Sequence, residues 1–328
     1  MAKKSRPPKL PQLLDRKIYK TGQTRGADDD VIYQNRVGRN STVLIPYAIY
    51  NDVSSPPQGE QQFEKGFICL ITPEDYFGRN DIDELLLKDN LVLGENVLVF
   101  YQKRADWFAY PPLEHWTPAN SRTSPLGGQF IARIAATTAV ENGGKISEGF
   151  NTTGMKGAGI RLFEYASLKT IKDCRIQLEA VFWMCFDSME CVTEFGMTEY
   201  EAARRKTYCL ELADEKGLLD FEKLKSVRMT DKEHVTICPL CLERLSGKGF
   251  FSRLVQALGR EVHDLTVTEI NLFHIQELRY GVFNHRPYNL GWGHHHCNVV
   301  VKDSGIEPTL IWMEQVLNEN IQSGFLTK

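Results

Sequence analysis

Two short pairs of possible metal ligands constrain this chain more than any other feature: Cys238-x-x-Cys241 and His294-x-x-Cys297. In each pair two residues separate the ligands, a spacing at which both side chains can bind one ion. If the pairs share an ion, segments more than fifty residues apart must meet. Structural Zn²⁺ takes four Cys or His ligands in a tetrahedron. The sequence therefore predicts one structural zinc ion per chain.

The sequence determines the histidine ligand of the predicted zinc site less well than the three cysteine ligands. Seven of the eight histidines follow residue 230, and His234, His295 and His296 lie close enough in sequence to replace His294. The alternative without a metal makes the cysteines core residues and the histidines surface residues.

The remaining cysteines and the hydropathy pattern indicate the compartment. The N-terminus, Met1-Ala-Lys-Lys-Ser-Arg, lacks the apolar segment of a signal peptide, and the longest apolar runs are only long enough for strands. Without a secretory signal the eight cysteines do not predict disulfide bonds. We expect a cytoplasmic protein with no membrane association and with five reduced core cysteines: Cys69, Cys174, Cys185, Cys191 and Cys209.

The chain divides into three regions by its periodicity, and together they predict an α+β protein. Residues 1–150 contain strand-like runs separated by Gly, Pro, Asn and Asp clusters, which predicts a β-rich domain. Residues 151–230 begin within a glycine-dense stretch of residues 141–159 and are then mainly helical, with a capping box at Thr198-Glu-Tyr-Glu201, which predicts a helical connector that serves dimerisation or recognition. Residues 231–328 form the module with the zinc ligands, and a helix from Glu307 to Gly324 ends it.

Charge is unevenly distributed along the chain. The net charge is −3, but residues 1–50 contain ten Lys or Arg against four Asp. A basic segment gains affinity for DNA by releasing counterions, so Arg25 and Arg39 are candidate DNA contacts, although a solvated terminus is an equal alternative. The segments Lys20–Arg25 and Arg36–Asn40 resemble B3-like effector-sensing domains of restriction enzymes.

Three residues that could take part in catalysis accompany the candidate metal ligands in the last region. His274 ends a strand-like run, fourteen residues separate it from Asn289, and eight residues separate Asn289 from Asn298. This order, interleaved with the ligand pairs, resembles the HNH (ββα-metal) nucleases, in which a zinc knuckle supports a hairpin and a helix. The resemblance covers about residues 235–303 and implies hydrolysis of phosphodiester bonds.

The HNH resemblance implies a role for each of these residues. His274 would be the general base, Asn289 would orient it, and Asn298 would bind a catalytic Mg²⁺. A histidine suits the first role because its pKa lies near the working pH. Phe273 departs from the pattern, since many HNH nucleases have a metal-binding Asp or His at that place. The alternatives are a carboxylate ligand from Glu269, Glu277 or Asp303, or a DNA-binding protein that has lost catalysis.

The rest of the chain indicates the biological role. A large region without ATPase or helicase motifs, joined to one nuclease module, resembles Type II restriction endonucleases, and among them the BstXI-like group. The resemblance implies a homodimer that cuts double-stranded DNA, because a two-fold site requires two-fold protein symmetry. The basic residues placed to contact phosphates are Arg279, Arg286 and Lys302.

Other functions remain compatible with the sequence. A monomeric HNH nickase of the homing or phage type would share the chemistry, and a zinc-containing DNA-binding regulator would share only the knuckle. Asp214-Glu-Lys216 also has the local pattern of a carboxylate–lysine nuclease site. We interpret it as a chance match because it lies in a helical segment without a preceding strand that carries a partner Asp.

Overall fold

The computed structural model describes most of the chain and divides it into two units. The described residues are 6–19, 42–53, 63, 66–134, 146–148, 160–161, 165–252, 268–277, 283–302 and 304–327. The first unit, which we call the helical unit, contains residues 1–21, 169–279 and 284–328. The second, which we call the sheet unit, contains residues 22–168 and 280–283.

The helices and strands of the described chain follow in sequence order. The helices are α1 (Gln12–Tyr19), α2 (Tyr50–Val53), α3 (Pro73–Phe77), α4 (Ile82–Lys88), α5 (Arg104–Ala109), α6 (Leu168–Trp183), α7 (Ser188–Glu194), α8 (Glu199–Glu215), α9 (Phe221–Ser226), α10 (His295–Val301) and α11 (Ile306–Gln322). The strands are β1 (Val43–Pro46), β2 (Phe67–Ile71), β3 (Val97–Tyr101), β4 (Phe130–Ile134), β5 (Ile146–Glu148), β6 (Ile160–Arg161), β7 (Ile270–His274) and β8 (Leu290–His294).

The sheet unit is built on a six-stranded, mostly parallel sheet. Its strand order is β5-β4-β3-β2-β1-β6, and only the pairing of β4 with β5 is antiparallel. Strand β3 lies near the centre and is buried along its whole length. A strand that is apolar at consecutive positions, as in Val97-Leu-Val-Phe-Tyr101, has both faces covered, as is usual in parallel sheets.

Helices alternate with the strands of this unit, so the predicted β-rich domain is in fact a mixed α/β unit. Thr72 caps α3 by accepting a hydrogen bond from the Asp75 amide, and Pro73 occupies the first turn, where no amide donor is needed. Between β2 and β4 the helices α3, α4 and α5 contribute to a core with Tyr76, Ile82 and Leu86. These helices have only five to seven residues, which is too short for a clear helical period.

The core of the helical unit surrounds α6. Leu178, Phe182 and Trp183 on this helix are fully or almost fully buried, and Phe182 makes an edge-to-face contact with Phe250 at 5.0 Å between ring centroids. Helix α8 begins with the predicted capping box, since the Thr198 hydroxyl accepts from the Glu201 amide and the Glu201 carboxylate accepts from the Thr198 amide. The described residues from α6 to α9 are therefore mainly helical.

The N-terminal helix belongs to the helical unit, which changes the predicted domain boundaries. Leu10, Leu14 and Ile18 are buried in the same core as α6. The Lys17 ammonium is buried too, and it donates hydrogen bonds to the Thr268 hydroxyl and the Ile270 carbonyl. The first described residues are therefore a packed segment, and residues 1–21 belong to a different unit from the rest of the predicted domain of residues 1–150.

Other parts of the N-terminal prediction fall outside the described residues. Arg25 and Arg39, which we predicted to contact DNA, lie there, and so do the two segments that resemble B3-like domains. These two predictions stay predictions. The predicted boundary at residue 230 also differs from the structure, because α6 to α9 share one unit with the C-terminal module.

A hairpin and a helix follow one another directly in the last part of the helical unit. Strands β7 and β8 are antiparallel, with Ile270 opposite His294 and His274 opposite Leu290. Helix α10 begins at the residue after β8 and packs against both strands. The chain therefore has a β–β–α arrangement across its predicted catalytic residues. Among the described helices, none is both long and apolar enough to cross a membrane.

Candidate metal and catalytic site

A tight turn brings the first two cysteines together. Cys238 donates its amide to the Glu243 carbonyl, and its own carbonyl accepts from the Leu242 amide at 2.9 Å. Leu242 has a left-handed backbone with φ of 64°. Arg244, just after the turn, makes ion pairs with Asp231 and Glu233 in the loop that precedes the turn. The local sequence thus forms a closed knuckle that holds both cysteines on one side.

The second ligand pair lies at the junction of β8 and α10. His294 is the last residue of the strand and Cys297 lies in the first turn of the helix. The donor atoms of Cys238, Cys241, His294 and Cys297 all lie within 4.8 Å of one another, and the Cys241 Sγ is 3.3 Å from the His294 Nδ1. The structure brings together the four residues that the spacing predicted.

The chemistry of this cluster fits a structural zinc ion. Three thiols and one imidazole are a standard zinc ligand set, and they leave no position for a reacting water. Burial raises the pKa of the Cys297 thiol, and the neighbouring Cys238 and Cys241 raise it further. A divalent cation supplies the positive charge that such clustered sulfurs need to be thiolates. The cluster can therefore hold a metal ion, and zinc is the ion that its ligands suit best.

The competing histidines occupy different environments. The His295 Nδ1 lies 3.1 Å from the Asn271 side-chain amide, and His234 packs on the ring of Phe221. His296 is the only one of these three beside a cluster sulfur in the described chain, with its Nε2 3.3 Å from the Cys297 Sγ, and its ring stacks on that of His294. Geometry therefore favours His294 as the fourth ligand, with His296 beside it.

The predicted base lies at the other end of the hairpin. His274 is the last residue of β7, and burial lowers the pKa of its imidazole to about 4. A histidine with a lowered pKa is neutral at neutral pH and has a lone pair that can accept a proton. Phe273 before it is fully buried, with its ring beside Gly293 of β8, so it packs in the core of the helical unit.

Asn289 acts on the backbone around His274. Its side chain is buried, its Oδ1 accepts from the Gln276 amide at 2.6 Å, and its Nδ2 donates to the Asn284 carbonyl at 2.7 Å. These bonds connect the residues after β7 to the loop before β8. The hydrogen bonds described for Asn289 therefore tether this loop, whereas the sequence predicted that it orients the imidazole.

A second histidine, which sequence reasoning missed, contacts His274. His285 is buried, and its Nδ1 lies 3.4 Å from the His274 Nε2. Burial and the neighbouring His274 lower its pKa to about 3. The available signal was that His285 lies in the loop between the two predicted catalytic residues. Spacing alone could not place it, because the loop has to fold back onto β7.

The other predicted residues are distributed around this hairpin. Asn298 lies in α10, one residue after the ligand Cys297, and its side chain is half-buried. The path after α10 returns to the His274 end, since the Ile306 amide donates to the Ile275 carbonyl. Arg286 and Lys302 are exposed, as phosphate contacts must be. Glu269 and Glu277 are exposed as well, whereas Arg279 and Asp303 lie outside the described residues.

The rival nuclease motif has a different structural setting. Asp214, Glu215 and Lys216 are exposed at the C-terminal end of α8, and Lys216 makes an ion pair with Asp173 at 3.5 Å. These residues belong to the end of a helix, and the surface ion pair accounts for Lys216. We therefore keep the interpretation of a chance match.

Comparisons with known proteins identify the family. Searches of curated proteins and of solved structures each found no significant match. A sequence profile described as BstXI restriction endonuclease matches residues 16–295, which includes most of both units and β7 and β8. Because this match spans far more than half of the sequence, the chain belongs to the BstXI restriction endonuclease family.

Proposed function

We propose that this protein is a Type II restriction endonuclease that cleaves double-stranded DNA with the chemistry of an HNH nuclease. The observation that carries the proposal is the β–β–α arrangement of β7, β8 and α10, with His274 at the end of its first strand. The four-ligand cluster lies at the opposite end of the hairpin, where a structural metal ion would stabilise the hairpin and α10. Membership in a restriction endonuclease family supports the reaction class.

His274 acts as the general base in this proposal. Cleavage of a phosphodiester requires a proton to leave the attacking water, and a neutral imidazole accepts it. Burial keeps His274 neutral because it lowers the pKa to about 4. Asn289 fixes the backbone on both sides of the reacting loop, so its contribution is to hold the base in place.

Asn298 contributes an amide oxygen for a catalytic Mg²⁺. Mg²⁺ takes oxygen ligands and commonly keeps several waters while it binds substrate phosphates, so a single protein oxygen fits a site that DNA completes. When bound, the ion supplies positive charge that stabilises the phosphate during displacement. Arg286 and Lys302, both exposed, would contact neighbouring phosphates.

Zinc has a structural role in this proposal, with one ion per chain in the Cys238–Cys241–His294–Cys297 cluster. It fixes the start of α10, and through α10 it fixes the position of Asn298. The active form would be a homodimer, since two copies can place one site on each strand of a symmetric recognition sequence.

Purified protein, plasmid DNA and Mg²⁺ test this proposal. We expect discrete double-strand fragments from the wild-type protein, and no cleavage but unchanged DNA affinity from His274→Ala. Asn298→Ala should also lose cleavage and regain part of it at high Mg²⁺ or Mn²⁺, because weakened metal binding responds to concentration. His115→Ala, which removes an exposed histidine of the sheet unit, is the matched control and should cleave normally.

Four results would contradict parts of this proposal. Full cleavage by His274→Ala would place the active site elsewhere in the chain. Nicked circles as the final product of the wild-type protein would favour a monomeric nickase, and intact plasmid with a mobility shift would favour a DNA-binding regulator. Loss of zinc from both His274→Ala and Asn298→Ala would make these two residues structural.

A further inference from the structure

The contact between His274 and His285 has a consequence for the reaction. We propose that His285 is the positioning residue of the base: it accepts a hydrogen bond from the His274 Nε2 and leaves the His274 Nδ1 as the atom that takes the proton from water. This inference rests on the proposed function of His274. It goes beyond it by assigning a role to His285 and by naming the reacting nitrogen.

The tautomers of the two imidazoles decide which of them can act as a base. The two imidazoles approach through the His274 Nε2 and the His285 Nδ1, 3.4 Å apart, and one of these nitrogens must donate. If His285 donates, the His274 Nε2 lone pair is occupied and its Nδ1 carries the proton, so no basic nitrogen remains. If His274 donates through Nε2, its Nδ1 lone pair is free. Only the second arrangement allows His274 to act as a base.

The fold holds His285 in place. Asn284, the preceding residue, is buried, and its side chain donates to the Glu277 carbonyl at 2.8 Å. Its carbonyl accepts from the Asn289 side chain and from the Arg286 amide. Three hydrogen bonds therefore anchor the backbone on either side of His285 and direct its ring towards His274. A contact supported in this way is suited to fix an imidazole.

Burial of the His285 imidazole has a free-energy cost. The His285 Nε2 is buried and has no hydrogen-bond partner within the described residues. Leaving a buried polar atom unpaired costs free energy, and an apolar residue of similar size would avoid that cost. The loop nevertheless places an imidazole there, and the atom it directs at His274 is a nitrogen that can accept a proton donor. Hydrogen bonding to the base explains why a histidine occupies the position.

The proton transfer is balanced within this pair and the water. Water loses a proton to the His274 Nδ1 as its oxygen attacks phosphorus, and the His274 ring then has protons on both nitrogens. The bond from phosphorus to the leaving oxygen breaks in the same displacement, and the leaving oxygen takes a proton from solvent water. The Nε2 proton stays on His274 and is shared with the His285 Nδ1 lone pair, which stabilises the cationic ring. His285 keeps its own proton on Nε2 throughout, so it acts only through His274.

The test compares two replacements of His285 in the full-length protein. His285→Phe keeps the ring volume and removes the acceptor, whereas His285→Asn places an amide oxygen near the position of Nδ1. We expect His285→Phe to lower the single-turnover cleavage rate by about 10- to 100-fold, with DNA affinity and zinc content unchanged. His285→Asn should recover most of that loss. Equal loss in both variants, or a wild-type rate in His285→Phe, would overturn the inference.

A measurement on the wild-type protein avoids dependence on folding of the variants. Nitrogen-15 NMR of the imidazoles distinguishes the two neutral tautomers, and we expect His274 to carry its proton on Nε2. A proton on Nδ1 would refute the assignment. The two proposals can fail separately: cleavage by His274→Ala removes the proposed function, whereas an inactive His274→Ala with a fully active His285→Phe removes only the role of His285.

A separate observation concerns the surface of α11. Only Ile306 and Thr309, both in its first turn, are buried, and the following turns expose large apolar side chains. Leu310, Met313 and Leu317 succeed one another at intervals of three and four residues, so they form one stripe along the helix. Leu317 is 50% exposed. Val316 and Trp312 lie beside the stripe and widen its apolar face.

From this surface we infer that α11 packs against α11 of a second copy of the chain. A helix whose buried residues all lie in its first turn gains less stability from tertiary packing than one buried along its length, and isolated helices of this length are marginal in water. Its charges exclude two other occupants. The helix has three Glu and neither Lys nor Arg, which disfavours DNA and anionic lipid surfaces. An apolar stripe with spacings of three and four fits an identical helix.

The oligomeric state of the full-length protein tests this surface. We expect the wild-type protein to have the mass of a dimer at micromolar concentration and Leu317→Glu to have the mass of a monomer with unchanged zinc content. Asn318→Glu, which adds the same charge at the exposed neighbouring position outside the stripe, should stay dimeric. A monomeric wild-type protein, or a dimeric Leu317→Glu, would overturn the assignment, whether or not His274 is the base.

Discussion

Replacement of Asn289 by Ala tests how the candidate site is held together. The variant removes the bond from the Gln276 amide and the bond to the Asn284 carbonyl. A typical intramolecular hydrogen bond contributes about 1 kcal/mol, which gives about 2 kcal/mol for the pair. The penalty for unpaired atoms adds little, because Gln276 is exposed to water and the Asn284 carbonyl keeps its bond from the Arg286 amide. We therefore expect local rather than global loss of stability.

Hydrogen exchange followed by mass spectrometry measures this local effect. A loss of about 2 kcal/mol corresponds to an approximately 30-fold faster exchange wherever the same opening exposes the amides. The effect should appear in peptides from 270–277 and 284–292, while peptides from the sheet unit stay unchanged. Asn318→Ala, at an exposed position of α11, is the control. If Asn289→Ala exchanged at the wild-type rate in both peptides, the tethering role would be refuted.

Three further predictions concern the metal, the N-terminal helix and pH. Cys238→Ser should reduce the zinc content from about one ion per chain to near zero and loosen α10, as elemental analysis and hydrogen exchange would show; full zinc occupancy would contradict the assigned ligands. Leu14→Ala should lower the free energy of unfolding of the helical unit by about 3 kcal/mol in denaturant titrations, because Leu14 is fully buried. An unchanged free energy of unfolding would show that α1 is a solvated arm. The free energy of unfolding should fall as pH decreases below about 6.5, the pKa of histidine in the unfolded chain. In the folded protein the pKa values of His274 and His285 lie at about 4 and about 3, so the unfolded chain binds more protons in this range. A variant with both His274→Phe and His285→Phe should lose this part of the pH dependence.

The sequence predicted local features of the candidate site better than tertiary ones. Cys238 and Cys241 lie in one turn, and His294 and Cys297 at one strand–helix junction, so each pair is determined by a few residues. Metal chemistry then requires the pairs to meet, which adds one long-range contact that spacing can reveal. The hairpin of β7 and β8 was predictable for the same reason, because it surrounds residues with a recognisable order.

Features that depend on distant packing were not predictable from the same patterns. His285 contacts His274 only because Asn284 and Asn289 close the loop by side-chain bonds to backbone. Likewise, the many basic residues around α1 favoured a solvent-exposed segment, although Leu14 and Ile18 have the spacing of one helix face. Their burial follows from a core that α6 provides more than 150 residues later. Local charge predicted solvent exposure, and tertiary burial overrode it.

The two ends of the β7–β8 hairpin have different physical tasks, and α10 connects them. At the Ile270–His294 end the candidate zinc ligands lie where α10 begins, and at the His274–Leu290 end hydrogen bonds tether the loop that follows the proposed base. Asn298 lies one residue after the candidate ligand Cys297, so in the proposed function its position depends directly on the cluster. His274 depends on side-chain hydrogen bonds at the opposite end. Loss of zinc should therefore affect the Asn298 contribution before that of His274, because the helix start loosens before the strand end.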